Sequence, residues 1–137
     1  MDLTSFDYSS AIAAHLAYFG IAIVATVIFV GIYVMVTPHR EFTLIREGNS
    51  AAAISLGGAL LGYTIPLAKA VAQSEGMVDM LVWSGVALVA QLVAYGATRL
   101  ILPALSKDVS AGKVASGIFL AAMSVCVGML NAAAMTQ

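Results

Sequence analysis

The segment AIAAHLAYFGIAIVATVIFVGIYVMV, residues 11–36, runs for 26 residues without an Asp, Glu, Lys or Arg. Coiled as a helix it covers about 39 Å, more than the roughly 30 Å of bilayer hydrocarbon. Three further runs, Ala51–Ala68, Leu81–Thr98 and Val114–Met135, are equally free of charge and hold at least 18 residues each. Lipid cannot hydrogen-bond a peptide group, so each run must satisfy its own backbone as a helix. A barrel would need alternation with a period of two, which these runs lack. The expected architecture is an all-α integral membrane protein, a four-transmembrane-helix bundle.

The rest of the chain agrees. Hydrophobic residues make up 61% of it and charged residues 9%, against about 25% charged in soluble domains. A net charge of −1 offers no basic surface for nucleic acid. The single cysteine, Cys126, leaves no internal disulfide or cysteine-based zinc cluster and reads as a small packing residue in the fourth run. The first run is too long, and its flank Met1–Ser10 too acidic, for a cleaved signal. One transmembrane domain over residues 1–137 is therefore expected, with the lipid bilayer as its first partner.

Five of the six basic residues lie beside the first and third connections: Arg40, Arg46, Arg99, Lys107 and Lys113. Only Lys69 sits toward the other side. The positive-inside bias puts those two connections in the cytoplasm, with both termini and the middle connection outside. Short connections make successive spans antiparallel neighbours. A shift of 65 residues places Gly20 on Gly85, Gly31 on Gly96 and Pro38 on Pro103, and a shift of 66 places Gly62 on Gly128. This suggests two parallel two-helix repeats, residues 11–72 and 78–136.

Helices in lipid associate through small residues. The second run carries Gly58 and Gly62 in a GxxxG pair, with Ala51 and Ser55 on the same stripe. The fourth carries Gly117, Ala121, Ser124, Gly128 and Ala132 at spacings of three and four. These are the expected packing seams, within one chain or between copies in a homo-oligomer. Pro66 should kink the second span and free a carbonyl near Gly62.

Polar groups inside the spans are few. His15, Lys69 and Asn131 all fall in the outer halves of their spans, where each has an ordinary reading and where together they could bind an anion or relay a proton. Gln91 lies near the middle of the third span with Thr26 at the corresponding repeat position. It reads first as interhelical hydrogen-bond glue and second as the lining of a pathway. Trp83, Tyr8 and Tyr18 fit an interfacial aromatic belt. His15 and His39 stand at opposite ends of one span, about 36 Å apart, and cannot share a haem within a monomer. No nucleotide, hydrolase or metalloprotease motif is present. No enzyme activity, cofactor or metal is expected. The connection from Pro38 to Asn49, with His39, Arg40, Glu41, Arg46 and Glu47, is the surface most available to a membrane-associated protein partner. Its Phe42, Leu44 and Ile45 suggest an amphipathic turn.

The strings Thr37-Pro-His-Arg-Glu41, Leu44-Ile-Arg-Glu-Gly-Asn-Ser-Ala-Ala-Ala53 and Leu60-Leu-Gly-Tyr-Thr-Ile-Pro-Leu67 resemble the YjfL-type small inner-membrane proteins of bacteria. The stretch around Trp83 and the closing Gly128-Met-Leu-Asn-Ala-Ala-Ala-Met-Thr136 are similar to the same family. The resemblance implies a multipass bacterial inner-membrane protein made of repeated pairs of spans. It also implies an association with envelope-stress genes of the PspA type, hence a protein partner at the membrane. It supplies no catalytic or ligand residues. The reading it supports is a non-enzymatic scaffold or partner subunit in envelope maintenance. The alternative is a small oligomeric channel or transporter subunit lined by Gln91, Thr26 and His15.

Overall fold

The computed structural model describes residues 7–135, which form helices and connections with no strand among the described residues. Four long apolar helices, each sufficient to span a bilayer, form a bundle: α1 (Tyr8–Val36), α3 (Ser50–Gln73), α4 (Met77–Ile101) and α6 (Val114–Ala134). Two short helices, α2 (Glu41–Arg46) and α5 (Leu105–Ser110), lie together at one end. The spans fall where the apolar runs place them, with α3 continuing past Lys69 to Gln73.

The helix ends are built by local chemistry. Asp7 accepts from the Ser10 amide to start α1, and Asn49 accepts from the Ala52 amide at 3.0 Å to start α3. Both short helices stop the same way. Gly48 at φ 86° and Gly112 at φ 81° take the left-handed conformation that favours glycine. The following amides, Asn49 and Lys113, return to Leu44 and Asp108, closing a Schellman-type turn. The Asn49 side-chain amide also donates to the Val109 carbonyl at 2.8 Å, so one residue caps α3 and ties it to α5.

The tightest contact in the molecule joins α3 to α6, which run parallel. Gly58 faces the Ala121 backbone, Gly117 faces Ala51, and Gly62 faces Ser124 and Gly128. A Cβ added at any of these four glycines would overlap backbone of the opposite helix. The Gly58/Gly62 stripe and the Gly117/Ser124/Gly128 stripe are therefore spent on each other within one chain. The facing pairs Ala51–Gly117 and Gly62–Gly128 are both 66 residues apart, the offset at which the sequence aligns Gly62 with Gly128. Pro66 sits buried inside an unbroken α3. Lacking an N–H, it leaves the Gly62 carbonyl without its usual helical donor, and that oxygen faces Gly128 across the seam. The close approach favours a weak Cα–H···O contact there.

α4 packs against both seam helices, whereas α1 leans on α3 and only lightly on α4. Phe29 stacks on Tyr63 of α3 at 4.2 Å between ring centroids, and Tyr33 meets Tyr95 of α4 edge-on at 6.0 Å. Phe29 and Tyr33 are the only buried residues of α1. Its exposed Leu16, Phe19, Ile23 and Val27 need no protein cover in a bilayer, because lipid tails are as apolar as they are. Cys126 also faces outward, so the structure corrects its reading as a packing residue: α6 turns its small stripe inward and puts Cys126 on the opposite face.

The seam makes a differential prediction. Gly62→Ala should destabilise the bundle by about 1–3 kcal/mol through overpacking. Gly57→Ala, on the same helix with nothing within 4 Å of the added carbon, should be neutral or stabilising by up to about 1 kcal/mol. Reversible unfolding in mixed micelles checks both, and equal effects would remove the close-contact explanation.

Candidate functional site

Polar side chains gather in three layers. At the end bearing α2 and α5, Thr37, His39 and Glu41 are buried, Glu41 to 1% exposure. His39 Nδ1 lies 2.9 Å from Ser106 Oγ of α5, and its Nε2 lies 3.2 Å from Glu41 Oε1. The Thr37 hydroxyl is within hydrogen-bond reach of both Glu41 Oε1 and the Tyr33 carbonyl. The Thr37 hydroxyl donates to Glu41 Oε1 and also points at the Tyr33 carbonyl one turn back. Glu41 Oε2 and the Tyr33 and Tyr95 hydroxyls are buried without a hydrogen-bond partner.

Burial pushes the Glu41 carboxyl up from its ordinary range, against the opposing hydrogen bond from Thr37. Burial pushes the His39 imidazole down. Both groups therefore resist charging, which suits a neutral hydrogen-bonded pair in a low-dielectric pocket. His39 and Glu41 fasten the α2 connection to the bundle and present no polar surface outward. Of the residues expected to meet a partner, Arg40, Arg46 and Glu47 are exposed, together with Phe42 and Thr43. A shallow cavity of about 330 Å³ opens beside Thr37, His39, Arg40 and Phe42.

At mid-bundle, Gln91 is fully buried and donates through Nε2 to the Ser124 carbonyl of α6 at 3.1 Å. The same nitrogen would stand 2.6 Å from a Cβ at Gly62, so the amide links α4 to α6 right beside the glycine seam, with its Oε1 buried and unpartnered. Thr26 bonds the Ala22 carbonyl of its own helix at 2.9 Å and is not brought to Gln91. Ser84 and Thr98 of α4 likewise return to carbonyls one turn back.

At the far end, Lys69 Nζ donates to the Ala132 carbonyl at 2.6 Å, placing a cation at the C-terminus of α6, where the helix dipole is negative. Lys69 thus reaches the turn of α6 that carries Asn131, whose Nδ2 is buried without a partner. His15 does not join them: it is exposed on α1 and stacked on Phe19 at 5.7 Å. The exposed side of α1 carries it away from the seam. Below Lys69, a small apolar cluster of Ala70, Met80 and Met135 packs against Tyr18 and Trp83. Above the cluster a cavity of about 720 Å³ is lined by Lys69, Ser74, Glu75, Asp79 and Trp83. Sequence reasoning did not single out Ser74, Glu75 or Asp79. Their signal was present, since two acids and no base follow Lys69 within one tight corner. Nor did it single out Tyr33, Tyr95 and Ser106, whose meeting depends on how α1, α4 and α5 pack. Among the described residues no cluster of His, Cys, Asp and Glu could hold a metal ion.

Fold and polar layers together define a multipass, all-helical membrane protein with a closed glycine-packed centre. The chain belongs to the family described as Domain of Unknown Function (DUF350), whose model matches residues 7–135. It is 41% identical over 120 residues to the UPF0719 inner membrane protein YjfL of Escherichia coli (strain K12), covering 88% of this chain and 91% of that one. It is 26% identical over 92 residues to the UPF0719 transmembrane protein YshE of Bacillus subtilis (strain 168), covering 67% and 69% respectively. No solved structure matches the chain. It is an inner-membrane multipass protein of the YjfL-type family.

The buried carboxyl has a measurable consequence. A carboxyl whose pKa is raised on folding costs stability as pH rises from the ordinary carboxylate value toward the raised one. His39, lowered on folding, costs stability as pH falls through the ordinary imidazole range. Glu41→Gln keeps the shape and removes only the first effect. The unfolding temperature of Glu41→Gln minus that of the parent should therefore increase as pH rises above the ordinary carboxylate range of about 4–5. A difference independent of pH would contradict burial of Glu41.

Proposed function

We propose that this protein is a non-enzymatic partner subunit, or scaffold, of the inner membrane, acting in envelope maintenance through a docking ledge made by α2 and α5. The single observation that carries this reading is that the two short helices form an ordered, braced surface. His39 ties the α2 connection to Ser106 of α5, and Asn49 ties α3 to the Val109 carbonyl. Arg40, Phe42 and Arg46 are presented on the outside of that ledge, with Arg99, Lys107 and Lys113 at the same end of the bundle. Exposed cations around one exposed aromatic fit an acidic protein face that offers an apolar notch. The positive-inside bias supports a cytoplasmic ledge, with both termini and the α3–α4 corner outside.

The rival, a small oligomeric channel or transporter subunit, draws less support from the same geometry. Gln91 Nε2 is bonded to the Ser124 carbonyl, Thr26 to its own helix, and His15 lies on the outer side of α1.

Charge reversal at exposed Arg40 and Arg46 tests the reading, with Gln91→Leu as its counterpart. The double reversal should leave the protein in the membrane at normal abundance, abolish stoichiometric co-purification of its partner and lose function in an envelope-stress assay. Loss of function only with Gln91→Leu, the reversed ledge working normally, would overturn the docking reading in favour of conduction.

A further inference from the structure

The cavity at the end opposite α2 and α5 has lining chemistry that the docking reading does not use. Its volume is about 720 Å³. On one side stands Lys69, held by its bond to the Ala132 carbonyl with two ammonium hydrogens left to donate. Next to it lies Ser74, whose hydroxyl is shielded and without a partner. The same cavity is lined by Glu75, Asp79 and Trp83. Among the described residues no ion pair joins Lys69 to either acid, the ion pairs being those of His39 with Glu41 and Lys113 with Asp108. Both signs of charge therefore line one cavity without a direct ion pair between them.

A ligand that satisfies both must be a zwitterion, with an anionic group and an ammonium a few bonds apart. We propose that this cavity binds the headgroup of an aminophospholipid, a phosphate beside a primary ammonium. The phosphate lies against Lys69 and Ser74, where two charge-assisted or hydroxyl donors converge. The ammonium lies between Glu75 and the face of Trp83, which attracts a cation through its ring quadrupole. Asp79 contributes charge while one of its oxygens accepts from the Glu75 amide at 3.4 Å and keeps the corner in place.

A lipid is favoured over a soluble zwitterion by what lies below the cavity. The first turns of α4 expose Val78, Leu81 and Val82 at 76%, 54% and 58%. A headgroup seated in the cavity can lay its acyl chains along that face.

Trp83 is the only tryptophan of the chain, so its emission reports occupancy of this cavity. The full-length protein in detergent is titrated with short-chain phosphatidylethanolamine, phosphatidylglycerol and phosphatidylcholine, and with free phosphoethanolamine. Phosphatidylethanolamine should give a saturable change at concentrations at least about tenfold lower than the other three. Phosphatidylglycerol lacks the ammonium, phosphatidylcholine lacks its N–H donors, and phosphoethanolamine lacks the chains. Glu75→Gln, at an exposed position, and Lys69→Gln should each weaken the response about tenfold or more, and Lys69→Arg should largely restore it. Glu75→Gln leaves the bond between Lys69 and Ala132 intact, so the charge test stands even if Lys69→Gln unfolds. Equal affinity for phosphatidylglycerol, or an undiminished response in Glu75→Gln, would overturn the assignment. Equal binding of free phosphoethanolamine would overturn the lipid as ligand.

Discussion

The rest of this structure depends on the approach of two backbones, α3 and α6, across glycine. In water, two apolar helices associate because water is excluded from between them. In lipid that drive is absent, and association relies on dispersion contacts and weak polar contacts that fall off steeply with distance. Gly58, Gly62, Gly117 and Gly128 remove the side chains that would hold the helices apart. Pro66 adds to this by leaving the Gly62 carbonyl available at the point of closest approach.

The other elements take their places from that pair. α4 fits along both seam helices, and its buried face carries the small residues Ser84, Ala87 and Ala94 mid-helix with the larger Met80 and Tyr95 toward its ends. Gln91 adds a polar contact, its Nε2 donating to the Ser124 carbonyl while its Oε1 is buried without a partner. A buried amide nitrogen in lipid is costly unless bonded, so this contact favours one rotation of α4 against α6. α1 has no glycine contact of its own, and nothing lies within 4 Å of an added Cβ at Gly20 or Gly31. It is held by aromatic rings at Phe29 and Tyr33, and below them the buried pair His39–Glu41 secures the α2 connection.

The four spans and the class of protein were legible because lipid imposes simple rules of length and lack of charge. Which stripe met which was not legible. Glycines at matching spacings fit an intramolecular contact or one between copies equally well, and only packing decides. The charges of the α2 connection misled for a related reason. A run of Arg and Glu between two spans ordinarily reads as a solvated loop, yet His39 and Glu41 turn inward because Thr37 and Ser106 are there to receive them. Ser106 comes from a helix 67 residues away in sequence, which no local pattern announces. Of the three polar groups expected in the outer halves of their spans, Lys69 bonds the Ala132 carbonyl next to Asn131, whereas His15 lies on the exposed side of α1.

The direct test of the α3–α6 seam is a distance between two outward-facing labels at the same depth. Native Cys126 supplies one, and Leu61→Cys, at an exposed position one residue before Gly62, supplies the other. Pulsed electron resonance on the doubly spin-labelled protein, diluted with unlabelled chains in nanodiscs, reads the separation. Helices touching backbone to backbone place the labels within about 25 Å of each other in every chain. A separation well beyond that, or a short distance that disappears on dilution, would contradict a seam formed within one chain.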